Sequence, residues 1–180
     1  MRSYVVVGST FCLLGVAASV AAQDRGRVGI TMGYPASVGL LWHVSETTAL
    51  RPEFTFNRDD ASSESLVSAR SNFWSTAAGA SVLFYSSVRD NLRTYVAPRF
   101  SYARTRGTSD ITSSTTNSYA FAGMFGAQYS LGKRFAAFGE VGFGYSRQTG
   151  SVTSPVFTTK SRSNSVGTRS GAGVILYFGD

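Results

Sequence analysis

The stretch Val166-Gly-Thr-Arg-Ser-Gly-Ala-Gly-Val-Ile-Leu-Tyr-Phe178 decides the fold that this sequence predicts. Its alternate residues separate into two faces. One face carries Val174, Leu176 and Phe178, and the other carries Arg169 with three glycines. A period of two residues is typical of a strand. Because a final strand this apolar has an edge that must pair, we expect it to pair with the first strand and close the sheet.

The composition favours a single domain built from strands. The chain has 180 residues, of which 15% are charged and 13% aromatic, and it contains 19 glycines. Such a chain suits strands and turns better than helices. The formal net charge of +7 is spread along the chain without a basic run. We therefore expect the charge to lie on the surface and in an interior, and we do not expect a nucleic-acid partner.

The first 22 residues have the features of a secretory signal peptide. Arg2 is followed by an uncharged run that ends in small residues at Ala22, and polar residues return at Gln23. These features predict cleavage after Ala22, with Ala21 as the alternative, whereas the length of the run alone would also permit a membrane anchor. The single cysteine, Cys12, lies inside this segment. The expected mature domain, residues 23–180, would therefore contain no disulfide and no thiol.

The remaining chain predicts eight alternating strands. Short connections are expected at 34–37, 45–47, 86–91 and 132–134, and longer polar loops at 59–69, 107–117 and 149–165. An even number of strands, with tight turns at one end and longer loops at the other, is typical of a transmembrane barrel. The predicted fold is therefore all-β, an eight-stranded antiparallel up-and-down transmembrane β-barrel.

The distribution of charge separates this barrel from a soluble calyx, which has the same periodicity with its apolar face inward. The charges within the predicted strands fall on the faces that are rich in Gly and Ser, and the opposite faces are apolar. A charge that faced lipid at mid-depth would cost about 2–4 kcal/mol. We therefore expect a plugged lumen in which the charges pair as an ion-pair network: Arg51, Glu53, Arg99, Glu140 and Arg169.

Several motifs make residues 23–180 resemble the small eight-stranded outer-membrane β-barrels, the OmpA-, OmpX- and opacity-like proteins. They are Gly123-Met-Phe-Gly126, Gly142-Phe-Gly-Tyr145 and the final strand that ends in Val174-Ile-Leu-Tyr-Phe178. The resemblance implies a Gram-negative outer membrane and recognition of the last strand by the barrel-assembly machinery. It does not imply one activity.

The residues that usually carry chemistry are scarce. His43 is the single histidine, and the expected mature chain has no cysteine, so we expect no metal site and no cofactor. Some outer-membrane barrels are lipid-modifying enzymes that use a histidine, but we expect His43 to be a packed or hydrogen-bonded lumen residue. We predict that the protein is not an enzyme and acts in surface interaction or envelope integrity through its extracellular loops. The alternative is an enzyme that modifies lipid A or phospholipid, or a narrow channel.

Basic residues gather toward the loop end of the predicted barrel, where Asp110 is the nearest acidic residue. Arginine suits bidentate contacts with phosphate, so a basic rim here would meet the phosphates of lipopolysaccharide. The alternative is that these charges only keep the loops solvated. A host or surface ligand of the loops is a further expected partner. The rim comprises Arg104, Arg106, Arg147, Lys160 and Arg162.

Overall fold

Eight antiparallel strands form a closed barrel in sequence order, as predicted. The computed structural model describes residues 25–34, 37–63 and 69–178, so the predicted signal peptide, 1–22, lies outside the described residues. No helix in the described part is long and apolar enough to cross a membrane. The strands are β1 (Val28–Tyr34), β2 (Ser37–His43), β3 (Thr48–Ser63), β4 (Ala69–Arg89), β5 (Leu92–Ser109), β6 (Ser113–Ser130), β7 (Phe135–Thr153) and β8 (Thr158–Phe178).

The last strand closes the barrel against the first, which confirms the closure predicted from residues 166–178. Val28 of β1 pairs with Phe178, and Tyr34 pairs with Ala172. We call the end of the barrel that carries Val28 and Phe178 the lower end, and the opposite end the upper end. The connections β2–β3, β4–β5 and β6–β7 lie at the lower end, and the other four lie at the upper end.

The outward face of the barrel wall is apolar and the inward face carries the polar and charged residues, as the sequence predicts. The inward face of β2 buries Leu41 and His43, whereas Leu40 and Trp42 on the outward face are exposed. The same alternation runs around the barrel and produces an outward band of aromatic and aliphatic side chains. An apolar outer band around a polar interior is stable against lipid rather than water. Among the exposed residues of the band are Phe54, Phe56, Phe84, Val96, Phe100, Tyr119, Phe121, Phe125, Val141, Phe143, Tyr145, Leu176 and Phe178.

The wall has two parts, because the strands differ in length. β1 and β2 have 7 residues each, whereas the other six have 16 to 21. Pairing with β1 ends at Ala172 of β8, and pairing with β2 ends at Phe54 of β3. We call the part in which all eight strands pair the closed ring. The open sheet is the upper continuation of β3–β8, and residues 55–63 and 158–171 form its edges.

The three long loops predicted at 59–69, 107–117 and 149–165 are wrong. β3 continues to Ser63 and β4 begins at Ala69, while the β5–β6 and β7–β8 connections span only 110–112 and 154–157. The residues predicted to form loops are therefore largely strands of the open sheet. The open sheet has no closed interior, so polar residues occur on both of its faces. The alternation of polarity that identifies a strand from sequence is absent there.

The lower turns agree better with the sequence. The connection expected at 86–91 narrows to Asp90 and Asn91, because β4 reaches Arg89 and β5 begins at Leu92. Asp90 has a positive φ of 54°, a conformation that Asp tolerates in tight turns. The turns expected at 45–47 and 132–134 lie between β2 and β3 and between β6 and β7. These short turns hold the lower end of the closed ring together.

Candidate functional site

Four charged side chains meet inside the closed ring, and we call them the lumen cluster: Arg51, Glu53, Arg99 and Glu140. The Glu140 carboxylate accepts hydrogen bonds from Arg51 Nη2 at 2.5 Å and from Arg99 Nη2 at 2.7 Å. Glu53 lies 3.5 Å from Nε of each arginine. The cluster joins β3, β5 and β7, so it reaches across the interior rather than along one wall.

Neutral groups add hydrogen bonds to the lumen cluster. The Tyr95 hydroxyl donates to Glu140 Oε1 at 2.8 Å, and Arg51 Nε donates to Ser81 Oγ at 3.3 Å. The Arg51 and Glu140 side chains are each 1% exposed. A buried carboxylate is stable when cations and donors surround it in this way. Gly126 is required beside the cluster, because a Cβ there would overlap the ring of Tyr95.

Arg169, the fifth residue of the predicted network, lies apart from the cluster. It is on the inward face of β8 opposite Gly142, but it is exposed. Among the described residues it makes no ion pair with Glu53 or Glu140. Both oxygens of Glu140 already accept hydrogen bonds from other residues. Arg169 also lies above Ala172, where β8 no longer faces β1, so the water of the open sheet can solvate it.

A second polar group, which we call the tyrosine layer, lies in the lower half of the closed ring: His43, Tyr85, Gln128 and Tyr177. Tyr85 donates to Gln128 Oε1 at 3.0 Å, and Gln128 Nε2 donates to the Tyr177 hydroxyl at 2.8 Å. His43 Nε2 lies 3.2 Å from the same hydroxyl, and its ring stacks on Tyr85. His43 is therefore a fully buried residue held between two tyrosines.

Arginine side chains cover the aromatic rings of this interior. The Arg27 guanidinium lies 3.8 Å from the centre of the Tyr177 ring, and that of Arg93 lies 4.7 Å from the Tyr85 ring. In such cation–π contacts the face of the aromatic ring attracts the guanidinium group, and the two side chains pack against each other. Leu41, Leu83 and Ile175 add buried aliphatic volume around them. An eight-stranded barrel is just wide enough for side chains to fill, and the lumen cluster and the tyrosine layer both lie inside the closed ring.

A cavity of about 290 Å³ lies above the lumen cluster. Glu53, Arg99 and Glu140 contribute to its floor, and Tyr34 and Ser37 border it where the β1–β2 hairpin ends. Thr55 and Asn57, on the edge of the open sheet, also line it. The cavity is therefore a vestibule between the cluster and the open side of the barrel, with apolar residues such as Ala77 and Phe138 in its lining.

All five residues of the predicted basic rim lie on the outward face of the open sheet. Cross-strand partners share a face, and Arg147 pairs with the outward Tyr119 and with Asn164. Arg162 and Lys160 continue along the same face of β8, while Arg104 and Arg106 do so on β5. The Arg106 guanidinium lies 5.7 Å from the centre of the Trp74 ring. The rim thus begins one outward position above the aromatic band.

Two tyrosine–asparagine pairs join the aromatic band to the rim. The Tyr102 hydroxyl donates to Asn117 Oδ1 at 2.9 Å, and the Tyr145 hydroxyl donates to Asn164 Oδ1 at 3.2 Å. Sequence reasoning misses both asparagines, because each lies in a segment that the sequence predicts to be a loop. The spacing holds a signal: Asn164 is two residues from Val166, so the alternation of β8 extends upward through it.

A metal centre has no support in the described part of the chain, where no three His, Cys, Asp or Glu side chains come together in a way that could hold an ion. The lumen cluster has two carboxylates, and both are engaged with arginines. Its chemistry is that of a structural ion-pair network rather than a site for a cation.

Comparisons with known proteins support the fold and leave the family open. No family model matches the chain, and no curated protein matches it. A major outer membrane protein from Thermus thermophilus is similar in structure, with a TM-score of 0.57 and 11% identity over 84% of this chain and 98% of the other. CarO of Acinetobacter baumannii gives a TM-score of 0.46 and 11% identity over 86% of this chain and 98% of CarO. At 11% identity the first likeness supports the fold alone: an eight-stranded antiparallel barrel of the outer-membrane type.

Proposed function

We propose that this chain is a structural outer-membrane barrel that contributes to envelope integrity, with a lumen plugged by side chains and an outer rim that binds lipopolysaccharide. The observation that carries the proposal is the separation of charge into two places. The lumen cluster keeps its four charges inside the closed ring, and the rim carries cations outside, just above the apolar band. The first arrangement opposes an open pore, and the second suits an anionic surface.

The proposed orientation has the upper end outside the cell and both termini in the periplasm, because six strands extend the wall beyond the closed ring at the upper end, where such barrels carry their longer extracellular parts. Single cysteines at Ser154, in an upper turn, and at Lys133, in a lower turn, test it. A membrane-impermeant maleimide should label Ser154→Cys on intact cells and should label Lys133→Cys after permeabilisation. Labelling of Lys133→Cys alone on intact cells would reverse the orientation.

The surface available to partners differs from the one that the sequence predicted. Short connections replace the three long loops, so an interaction outside the cell would use the faces of the open sheet. Its outward face is rich in Arg and Lys around the tyrosine–asparagine pairs. In the proposed orientation the rim lies directly above the apolar band, where lipid headgroups would meet it, and guanidinium groups bind phosphate in bidentate fashion. We therefore favour an envelope-integrity role over adhesion.

The test combines a lipid measurement with a cellular one. Arg104, Arg106 and Arg147 are replaced together by Gln, and lipopolysaccharide that co-purifies with the barrel is quantified. We expect less lipopolysaccharide from this variant, and cells that carry it should be more permeable to detergent. The matched control replaces Arg25, Lys133 and Arg134 by Gln, which removes the same charge from the lower end. Equal lipid yield and equal permeability in the two triple variants would leave the rim with a solvating role alone.

A further inference from the structure

Two shallow depressions lie next to each other on the outward face of the wall, with volumes of about 590 and 730 Å³. Three residues line both of them: Pro98, Gly123 and Phe143. Gly123 is exposed, and the position that its Cβ would occupy has no atom within 4 Å. The missing side chain leaves a low floor between taller neighbours. The two depressions therefore meet at Gly123 and form one continuous hollow on the apolar wall.

Aromatic side chains form the walls of this hollow. Phe100 and Phe121, whose ring centres are 4.9 Å apart, border the upper depression. Phe125 and Val141 border the lower depression. The Phe143 side chain, which is 70% exposed, lines both the upper and the lower depression. A hollow lined by aromatic and aliphatic groups on a lipid-facing wall buries additional apolar surface when a hydrocarbon chain fills it.

The upper end of the hollow reaches the basic rim. Tyr145 and Val166 line that end, and the Tyr145 hydroxyl bonds to Asn164. Arg147 follows Tyr145 at the next outward position of β7, and Arg162 follows Asn164 at the next outward position of β8. Going upward along β7 and β8, the apolar lining is thus followed first by hydrogen-bonding groups and then by cations. A headgroup that carries a phosphate would meet this sequence of surfaces directly above a buried chain.

The hollow and the rim position above it together extend over about one leaflet of a membrane. From Arg147 down to Val141 is six residues of β7, or roughly 20 Å along a strand. Strands of such barrels are tilted by about 35–45°, which leaves a depth of about 15 Å. That depth is about half of a hydrocarbon core of ~30 Å. A chain anchored at the rim would therefore lie along both depressions.

We propose that this hollow is a specific site for an acyl chain of lipid A, whose phosphates contact the rim on either side of it. Arg147 and Arg162 approach its upper end from β7 and β8, and Arg104 follows Tyr102 on β5. Two groups of cations on opposite sides suit a headgroup with two phosphates better than one with a single phosphate. The inference rests on the proposed function, which assigns the rim to lipopolysaccharide, and adds to it a chain site that the rim alone does not require.

The experiment measures lipid retained by the intact barrel. Protein purified in mild detergent is incubated with lipid A or with phosphatidylglycerol, and bound lipid is counted by native mass spectrometry. We expect the wild type to retain lipid A in preference to phosphatidylglycerol. Gly123→Phe fills the floor of the hollow and should lower retention of lipid A about ten-fold. Inorganic phosphate at the same concentration should not displace the lipid.

The matched control is Gly139→Phe. Gly139 is also exposed on the outward face, has no atom within 4 Å of its Cβ position and lines neither depression. This variant should retain lipid A like the wild type. A second comparison avoids added bulk: Phe143→Ala removes a shared wall, whereas Phe135→Ala on the same strand removes an exposed phenylalanine away from the hollow. Phe143→Ala should lose retention, and Phe135→Ala should keep it.

The outcomes separate this inference from the proposed function. If Arg147→Gln with Arg162→Gln lowers retention of lipid A while Gly123→Phe and Phe143→Ala match their controls, the rim binds phosphate and the chain site is wrong. If Arg147→Gln with Arg162→Gln retains lipid A like the wild type, the proposed binding of lipopolysaccharide by the rim is wrong. Equal retention of lipid A and phosphatidylglycerol by the wild type would also overturn the site.

Discussion

The closed ring and the open sheet contain the same kind of ion pair in opposite surroundings. In the closed ring, Arg51 and Glu140 are 2.5 Å apart, and each side chain is 1% exposed. In the open sheet, Arg58 and Asp60 are 3.1 Å apart, and the side chains are 61% and 60% exposed. An exposed pair contributes about 0–1 kcal/mol, whereas loss of one partner of a buried pair costs about 3–5 kcal/mol. The same two functional groups are therefore costly to separate in the closed ring and contribute little in the open sheet.

The comparison also explains how the upper wall can remain open. A strand edge with unpaired backbone groups invites pairing with another chain unless charges protect it. The β8 edge carries Lys160, Arg162 and Arg169, and the β3 edge carries Arg58, Asp59 and Asp60. The closed ring needs no such protection, because β1 and β2 pair with both neighbours. Closure supplies stability in one region, and charge supplies solubility in the other.

The largest expected difference in stability between the regions comes from removing one carboxylate in each, Glu140 in the closed ring and Asp60 in the open sheet. Glu140→Ala leaves Arg51 buried without its closest partner and removes the acceptor of Tyr95, so we expect the free energy of unfolding to fall by about 3–5 kcal/mol. Asp60→Ala, the matched change in the open sheet, should lower it by at most about 1 kcal/mol. Urea unfolding of the folded barrel in detergent, followed by heat-modifiable migration on gels, measures both. Equal losses would mean that burial does not distinguish the pairs.

A smaller difference is expected from two glycines on the inward face. In Gly126→Val the new side chain would meet the ring of Tyr95, and overpacking of this kind costs about 1–3 kcal/mol. In Gly167→Val, within the open sheet, the new Cβ has no atom within 4 Å, so the free energy of unfolding should change by less than about 0.5 kcal/mol. The same unfolding assay compares the two variants. A larger loss for Gly167→Val would show that the upper wall is the more tightly packed part.

The smallest expected difference concerns two serines on the inward face of β4. Ser81→Ala removes the hydrogen bond from Arg51 Nε and should cost about 0.5–1.5 kcal/mol. Ser75 bonds to Thr105 at 3.1 Å in the open sheet, where water can replace the lost partner, so Ser75→Ala should be nearly neutral. Chemical denaturation with replicate midpoints resolves a difference of this size. A neutral Ser81→Ala would remove that serine from the support of the lumen cluster.

Sequence reasoning succeeds where the two faces of a strand meet different surroundings. In the closed ring, lipid on one side and packed side chains on the other impose an alternation that is readable from residues such as Leu40, Leu41 and Trp42. The same alternation places Arg51, Glu53, Arg99 and Glu140 on the inward face. Their pairwise contacts need the register between β3, β5 and β7, which depends on closure of the whole barrel and not on local sequence.

The failures have a common physical cause. In segments such as 107–117 water reaches both faces, so Ser and Thr follow one another and resemble a loop, although Thr is a good strand former. Periodicity groups Arg169 with the lumen residues because it shares their face. Its height above the end of β1 is not readable from sequence, because that height depends on the 7-residue length of β1 relative to β8. The short connection predicted at 34–37 is the one feature of the sequence that indicates that β1 and β2 are shorter than the other strands.

Electrical recording in planar bilayers tests the central claim, a lumen closed by side chains, most directly. Wild-type barrel, inserted and verified as folded, should give no steady single-channel conductance, because the proposed plug consists of the lumen cluster and the tyrosine layer, whose side chains bond to one another inside the closed ring. Glu53→Gln with Arg99→Gln loosens the upper side of the cluster and should introduce small, brief openings. Steady conductance in the wild type, with an ion selectivity that changes in Glu53→Gln, would contradict the account and identify the lumen as a channel.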